Sequence, residues 1–266
     1  MIIVGERINT SRKPVAALVA RRDAGAVVRE AARQHEAGAN FIDVNAGTLL
    51  GEEPEALRWL VTTIQGAVPV PLCLDSPDPG VMAVALEVHQ GKALLNSITA
   101  ERERFRAVLP LVKRFGCGVV ALCLDEAGMP SSAEEAVEKG SRLVEDLLEA
   151  GVPAGDIYVD PLVRPVSTDS CAGVAVVEAI SILRRKYPGI HTICGLSNVS
   201  FALPERRLLN RAFLVAAMTA GLDSVILDPL DGRLMGLLRA AEAVLGRDEY
   251  CSCYLRAYRE GRLAGN

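Results

Sequence analysis

Aromatic side chains are scarce: Phe, Trp and Tyr together make 4% of the 266 residues. Half of the chain is hydrophobic, so the core has to be filled by Val, Leu, Ile and Ala. Histidine occurs only at His35, His89 and His191. No two of them stand at metal-ligand spacing, which argues against a histidine-based metallohydrolase. Lysine occurs only at Lys13, Lys92, Lys113, Lys139 and Lys186. None falls at the end of an expected strand, which argues against Schiff-base chemistry. Neither G-x-G-x-x-G nor a P-loop is present, and the last expected loop lacks the double glycine of a phosphate cradle. The net charge is −4 with no basic block, so neither nucleic acid nor an anionic membrane is an expected partner. No apolar run reaches the ~18–20 residues of a membrane span. The chain opens directly on Ile2, Ile3 and Val4 without a signal-like core, and a cytoplasmic setting is expected. Of the seven cysteines, Cys73, Cys117, Cys123 and Cys194 lie in apolar segments, as reduced structural thiols do. Cys251 and Cys253 form a lone C-x-C with no histidine nearby in sequence, so no bound metal is expected.

What is present is alternation. Short apolar runs at Ile2–Gly5, Phe41–Asn45, Leu72–Asp75, Ala93–Asn96, Val119–Leu124, Ile157–Asp160, Thr192–Gly195 and Ser224–Leu227 read as strands. They are continuously apolar, as strands covered on both faces are. Between them lie amphipathic helical stretches: Val27–Ala37, Glu53–Gln65, Pro79–His89, Glu101–Phe115, Ala133–Ala150, Cys171–Tyr187, Pro204–Ala220 and Gly232–Leu245. A glycine follows each, suited to the left-handed position that ends a helix. Eight evenly spaced βα pairs predict an α/β fold, a closed (β/α)8 TIM barrel rather than a doubly wound sheet. A single domain is expected over residues 1–266, with an extra helix at about 248–262.

In such a barrel the chemistry lies at the C-terminal ends of the strands. In chain order these ends carry Glu6, Arg7 and Asn9; Asp43 and Asn45; Asp75 and Ser76; Asn96 and Ser97; Asp125 and Glu126; Asp160; Ser197 and Asn198; Asp228 and Asp231. A strand-end Asp is also a helix cap, and Ser197 and Asn198 also suit a loop or an N-cap. A whole ring of carboxylates and carboxamides suits a flat, nitrogen-rich heterocycle. A carboxylate accepts two N–H bonds from an amidine-like edge, and Asn matches a lactam in both senses. A pterin has that edge.

Seven segments, in order, carry a resemblance: GERIN at 5–9, DVNAGT at 43–48, LCLDS at 72–76, LLNS at 94–97, YVDPL at 158–162, GLSNVS at 195–200 and NRAFLVAAMTAGLD at 210–223. The chain resembles the methyltetrahydrofolate-dependent corrinoid methyltransferases, a pterin-binding barrel family. The resemblance implies transfer of the N5-methyl group of 5-methyltetrahydrofolate to the Co(I) centre of a corrinoid protein, or the reverse. Tetrahydrofolate and 5-methyltetrahydrofolate are then substrates, and the cobalamin is carried by the partner, which in part of the family is a corrinoid iron–sulfur protein. It also implies a homodimer. By the same resemblance Asp75, Asn96 and Asp160 hold the pterin ring, and Asn198 contacts the N5 side. Gly195 and Ser197 line the floor, and Glu6 and Asn9 the rim. Asn198 and Asp75 are the expected catalytic pair, Asn198 as a donor to N5 and Asp75 as a water-mediated proton route. Two other readings stand beside it. A dihydropteroate synthase is disfavoured by Ser197–Asn198 where that enzyme should have a lysine after strand seven. A non-catalytic methylfolate-binding protein would share the fold.

Overall fold

The computed structural model describes residues 1–49 and 51–263. The strands are β1 (Ile2–Asn9), β2 (Phe41–Asn45), β3 (Leu72–Asp75), β4 (Leu94–Thr99), β5 (Gly118–Leu122), β6 (Ile157–Asp160), β7 (His191–Thr192) and β8 (Ser224–Leu227). The helices are α1 (Lys13–Ala20), α2 (Ala24–Glu36), α3 (Glu53–Gln65), α4 (Pro79–Leu86), α5 (Arg102–Phe115), α6 (Ala133–Glu149), α7 (Ala172–Lys186), α8 (Arg206–Ala220), α9 (Gly232–Val244) and α10 (Ser252–Arg259). All ladders are parallel, in the order β7-β6-β5-β4-β3-β2-β1-β8. The seam between β7 and β8 is closed by a single parallel bridge, Gly195 to Ile226, with the Ile226 amide donating to the Cys194 carbonyl at 2.9 Å. The expected (β/α)8 barrel is the observed fold.

The core has two parts. The larger packs the outer faces of the strands against the helices and is almost entirely aliphatic. The smaller plugs the barrel itself with Val4, Cys73, Leu94, Val120, Tyr158 and Ile193, flanked by Ile2, Phe41 and Ile226. Each buried aliphatic side chain contributes roughly 1.5–3 kcal/mol relative to exposure. This plug also sets the height at which the barrel turns polar, because side chains repeat on one strand face every two residues.

The departures from the sequence reading sit at element ends. β1 runs to Asn9 rather than Gly5, with a ladder irregularity between Gly5 and Ile8. The extra residue lets both Glu6 and Asn9 face inward although they are three apart. α1 was not expected. It is one short apolar stretch, KPVAALVA, opened by Pro14 and followed by no glycine. The regular part of β7 is only His191–Thr192, not Thr192–Gly195, because past Thr192 the chain makes single bonds to its neighbours and then turns. α4 ends at Leu86, not His89, and the His89 ring instead accepts the Leu72 amide at 3.1 Å. α8 starts at Arg206, not Pro204, since Ala202 and Glu205 have φ of 62° and 48° and interrupt any helix there. The glycine rule fails twice: Gly66 ends α3 with a right-handed φ of −69°, and Gly189 after α7 is not left-handed either. The tail helix is shorter than the expected 248–262 because Tyr250 and Cys251 have φ of 52° and 53°. It starts at Ser252, where the Asp248 carboxylate accepts the Cys253 and Tyr254 amides at 2.9 Å each. The end of the expected single domain, 264–266, lies outside the described residues.

Candidate functional site

Two residues above the apolar plug, on strand after strand, the inward position changes from hydrocarbon to polar. Val4 is followed by Glu6, Phe41 by Asp43, Cys73 by Asp75, Leu94 by Asn96, Tyr158 by Asp160, Ile193 by Gly195 and Ile226 by Asp228. The site is the next layer of the barrel interior. It opens into a cavity of about 560 Å³ lined by Glu6, Asn9, Asp75, Asn96, Gly195, Ser197 and Asn198. These are seven of the eight residues singled out from the sequence. The eighth, Asp160, is 7% exposed and is not part of that lining. Its carboxyl accepts the Leu162 amide at 2.8 Å and also takes the Gly195 amide, so it ties the end of β6 to the chain after β7. A wider open groove of about 860 Å³ lies beside the mouth, between Pro77, Glu101 and Glu126. The buried carboxylates line only the narrower cavity.

Each polar group is held by its own set of neighbours. The Asn45 amide donates to Asp75 Oδ2 at 2.9 Å and accepts the Gly47 amide at 3.0 Å, which fixes the plane of the Asp75 carboxylate. Ser197 Oγ donates to Glu6 Oε2 at 3.2 Å, linking β1 to the 3-10 turn Leu196–Ser200. Arg206 clasps that turn by donating to the Ser197 carbonyl at 2.6 Å and to Ser200 Oγ at 3.1 Å. Ser200 in turn donates to Asn210 Oδ1 at 2.7 Å. Arg7 pairs with Asp228 at 2.7 Å and with Glu30. The Asn198 side-chain amide has no hydrogen-bond partner among the described residues and stands exposed at the mouth. A Cβ on Gly195 would lie 3.2 Å from its nitrogen, so the glycine leaves that amide its room.

Four carboxyls of this layer, those of Glu6, Asp43, Asp75 and Asp160, are displaced upward. Burial raises Asp160 to about 7, with the Leu162 and Gly195 amides pulling it back. Burial also raises Glu6, helped by Asp228 and opposed by Ser197, Arg12 and Arg206. Asp75 is raised by burial, with Asn45 and Arg104 opposing and Glu53 reinforcing. Asp43 goes furthest: it is 3% exposed, its charge is desolvated, and Asp75 and Glu6 repel it. Its Oδ1 has no hydrogen-bond partner, the mark of a carboxyl kept neutral rather than of a buried anion. The layer therefore offers a neutral Asp43 carboxyl as a donor beside amide groups that work in both senses. Among the described residues no three or more His, Cys, Asp or Glu side chains are grouped to hold a metal ion. No helix there is long and apolar enough to cross a membrane.

Sequence reasoning had Asp43 and Asp228 at strand ends but gave them no place in the site. The step of two residues above an apolar inward position would have found both. It would not have found Arg12, Arg206 or Asn210, which reach the cavity from loops and from α8.

The comparisons agree with this geometry. The family model described as "pterin binding enzyme" matches residues 5–228. The chain is 36% identical over 265 residues to the methylcorrinoid:tetrahydrofolate methyltransferase of Eubacterium limosum, covering 99% of this chain and 98% of that protein. It is 30% identical over 239 residues to the methionine synthase of Mycobacterium tuberculosis, covering 85% of this chain and 20% of that much longer protein. Among solved structures, the dihydropteroate synthase of Coxiella burnetii in complex with pteroic acid superposes with a TM-score of 0.72 at 15% identity. It covers 92% of this chain and 93% of that one, a likeness of fold alone. On the full-length relative and the family match together, the chain belongs to the pterin-binding enzymes.

Proposed function

We propose that this protein moves a methyl group between N5 of tetrahydrofolate and the cobalt of a corrinoid carried by a partner protein. The observation that carries the reading is the 36% identity to a methylcorrinoid:tetrahydrofolate methyltransferase over nearly the whole of both chains. The cavity supports it chemically. Asp75 and Asn96 are neighbours in the β3–β4 register and hold the amino-pyrimidinone edge of the pterin, with Asp160, at the inward end of β6, completing the grip. Asn198, unpaired at the mouth, meets N5. Gly195 and Ser197 form the floor beside it, and Glu6 and Asn9 the rim.

In the direction toward the corrinoid, the Co(I) lone pair attacks the methyl carbon and the C–N5 bond breaks. The bonding pair returns to N5, which takes up a proton. In the other direction N5 attacks the cobalt-bound methyl, cobalt keeps the bonding pair, and N5 loses its proton. The Asn198 amide stabilises the charge that changes at N5. The raised carboxyls behind it, Asp75 and Asp43, act as the proton reservoir through water. The corrinoid partner, in its iron–sulfur form or another, docks over the open mouth. One domain over 1–266, a homodimer and a cytoplasmic setting belong to the same proposal.

The test is a single-turnover mix of the protein, 5-methyltetrahydrofolate and cob(I)alamin, followed by cobalt absorbance. Methylcobalamin should form, and Asn198→Ala should lower the rate by roughly 10²–10³-fold while pterin Kd changes little. Tight pterin binding with no methyl transfer to free or protein-bound corrinoid would move the function to a synthase or a binder.

A further inference from the structure

The hydrogen-bond ladder between β3 and β4 runs out at the site. Its last registered pair is Asp75 with Asn96, and the Ser76 amide makes one final long bond, 3.3 Å, to the Asn96 carbonyl. Beyond it β3 passes into a loop while β4 continues to Thr99 along β5, and no further strand bond holds the two at a fixed spacing. A side chain takes over there. Arg104, on the first turn of α5, directs its guanidinium at both the loop after β3 and the β4 strand. Nε and Nη2 donate to the Ser97 carbonyl at 3.0 and 2.7 Å, Nη2 to the Ser76 carbonyl at 3.0 Å, and Nη1 to the Pro77 carbonyl. Ser76 and Pro77 directly follow Asp75, and Ser97 directly follows Asn96. One planar cation thus joins the loop after β3 to the β4 strand at the residues that follow the two side chains lining the cavity.

Only a guanidinium fits this task. It presents five donors in a rigid fork, whereas an ammonium is a single point that cannot reach three separated carbonyls in one plane. Donation from a cation makes such bonds stronger than neutral ones. Arg104 faces the neighbouring open groove and does not line the ring cavity, so it touches no part of the bound heterocycle.

We infer that Arg104 is a positioning residue, the tie that sets the spacing of the Asp75 carboxylate and the Asn96 amide to the edge of a flat nitrogen heterocycle. The inference rests on the pterin reading above. It adds that grip on the ring is set from outside the cavity, by one residue bonded to backbone carbonyls and, through Nη2, to Met82 Sδ at 3.8 Å. Arg104 has a second, separable effect, for it is a cation near Asp75. Facing that carboxyl are Asn45 from β2, Asp43 from the same strand, Glu53 from α3 and Arg104 from α5; Asp43 and Glu53 repel its charge, and Arg104 favours it.

The experiment compares wild type with Arg104→Met and Arg104→Lys, using 5-methyltetrahydrofolate and free cob(I)alamin across pH 5.5–8.5, with a thermal melt of each protein. Loss of the fork weakens ground state and transition state alike, so KM should rise about tenfold or more in both variants while kcat stays within about threefold. The pH limb of kcat/KM set by Asp75 should move upward in Arg104→Met, which removes the cation, and stay near its wild-type place in Arg104→Lys, which keeps it. A KM within about twofold of wild type in a folded variant overturns the inference. So does a loss shared equally by kcat and KM with an unmoved pH limb in Arg104→Met, which is what a merely structural clasp would give. If Arg104→Met does not fold, the KM of Arg104→Lys decides. A wild type that neither binds pterin nor transfers methyl overturns the pterin reading itself and this inference with it; an active wild type with indifferent variants overturns the inference alone.

Discussion

Asp160 should make the protein less stable as pH rises toward neutrality. Its carboxyl is raised from 3.8 to about 7 by burial. Between those values the unfolded chain has lost this proton and the folded chain keeps it. The folded state then binds more protons, so unfolding becomes easier with rising pH, by about 1.4 kcal/mol per pH unit for one group. The contribution is fully favourable below about pH 4, declines above that, and is gone once pH passes the folded value near 7. Asp160→Asn removes the titration. The substitution has its own cost, because the new side chain offers one acceptor where two backbone amides, of Leu162 and Gly195, are now served. That cost does not titrate, so it displaces the difference between the two proteins without changing its slope. The assay is urea unfolding of wild type and Asp160→Asn at half-unit steps from pH 4.5 to 6.5, plotted as the difference in unfolding free energy. The difference should change by roughly 2–3 kcal/mol across that span in favour of the variant as pH rises. A flat difference, or one that slopes the other way, would refute the claim that Asp160 is held neutral in the folded barrel.

Two further outcomes follow from the same geometry. Gly195→Ala has an allowed backbone, with φ −73° and ψ 95°, so the fold should survive. Its Cβ would crowd Asn198 Nδ2 at 3.2 Å, and the methyl-transfer kcat should fall by about tenfold with pterin Kd changed much less; an unchanged kcat would separate Asn198 from the chemistry. At the opposite end of the barrel, burial pushes Asp223 up, but His191 at 3.0 Å, the Thr192 amide and Arg184 hold it below the usual carboxylate value. Its stabilisation is therefore present above the unfolded carboxylate value and lost as pH falls through the lower folded one. Asp223→Asn should cost on the order of 1 kcal/mol at pH 7 and less at pH 3, read from melts at the two values; a cost independent of pH would contradict the ion-pair account.

Much of the architecture was legible in the chain. Continuous apolar runs of four to six residues are what a parallel strand covered on both faces requires, and helical stretches closed by glycine are local events. Each is decided by neighbours a few residues away, so local pattern sufficed for eight strands in order and for polar strand ends. Cavity-lining positions were legible for a related reason: Glu6, Asp75, Asn96 and Asn198 stand where apolar runs stop. Element ends were less so. A helix start at Arg206 instead of Pro204 depends on left-handed backbone at Ala202 and Glu205, which nothing in their side chains announces.

What only the tertiary structure decided is which polar ends meet, and in what state. Ser197 reaches Glu6 across 191 residues, and Arg104 finds carbonyls of the loop after β3 and of β4, because barrel closure and strand register bring them together. Asp160 is taken up by the backbone amides of Leu162 and Gly195, while Asp75 and Asn96 line the cavity. The neutral state of Asp43 follows from burial beside Asp75 and Glu6, carboxyls on different strands. Local sequence sets backbone conformation and the face on which a side chain emerges. Desolvation and charge repulsion depend on everything within several ångströms in space, and that neighbourhood exists only once the barrel has closed.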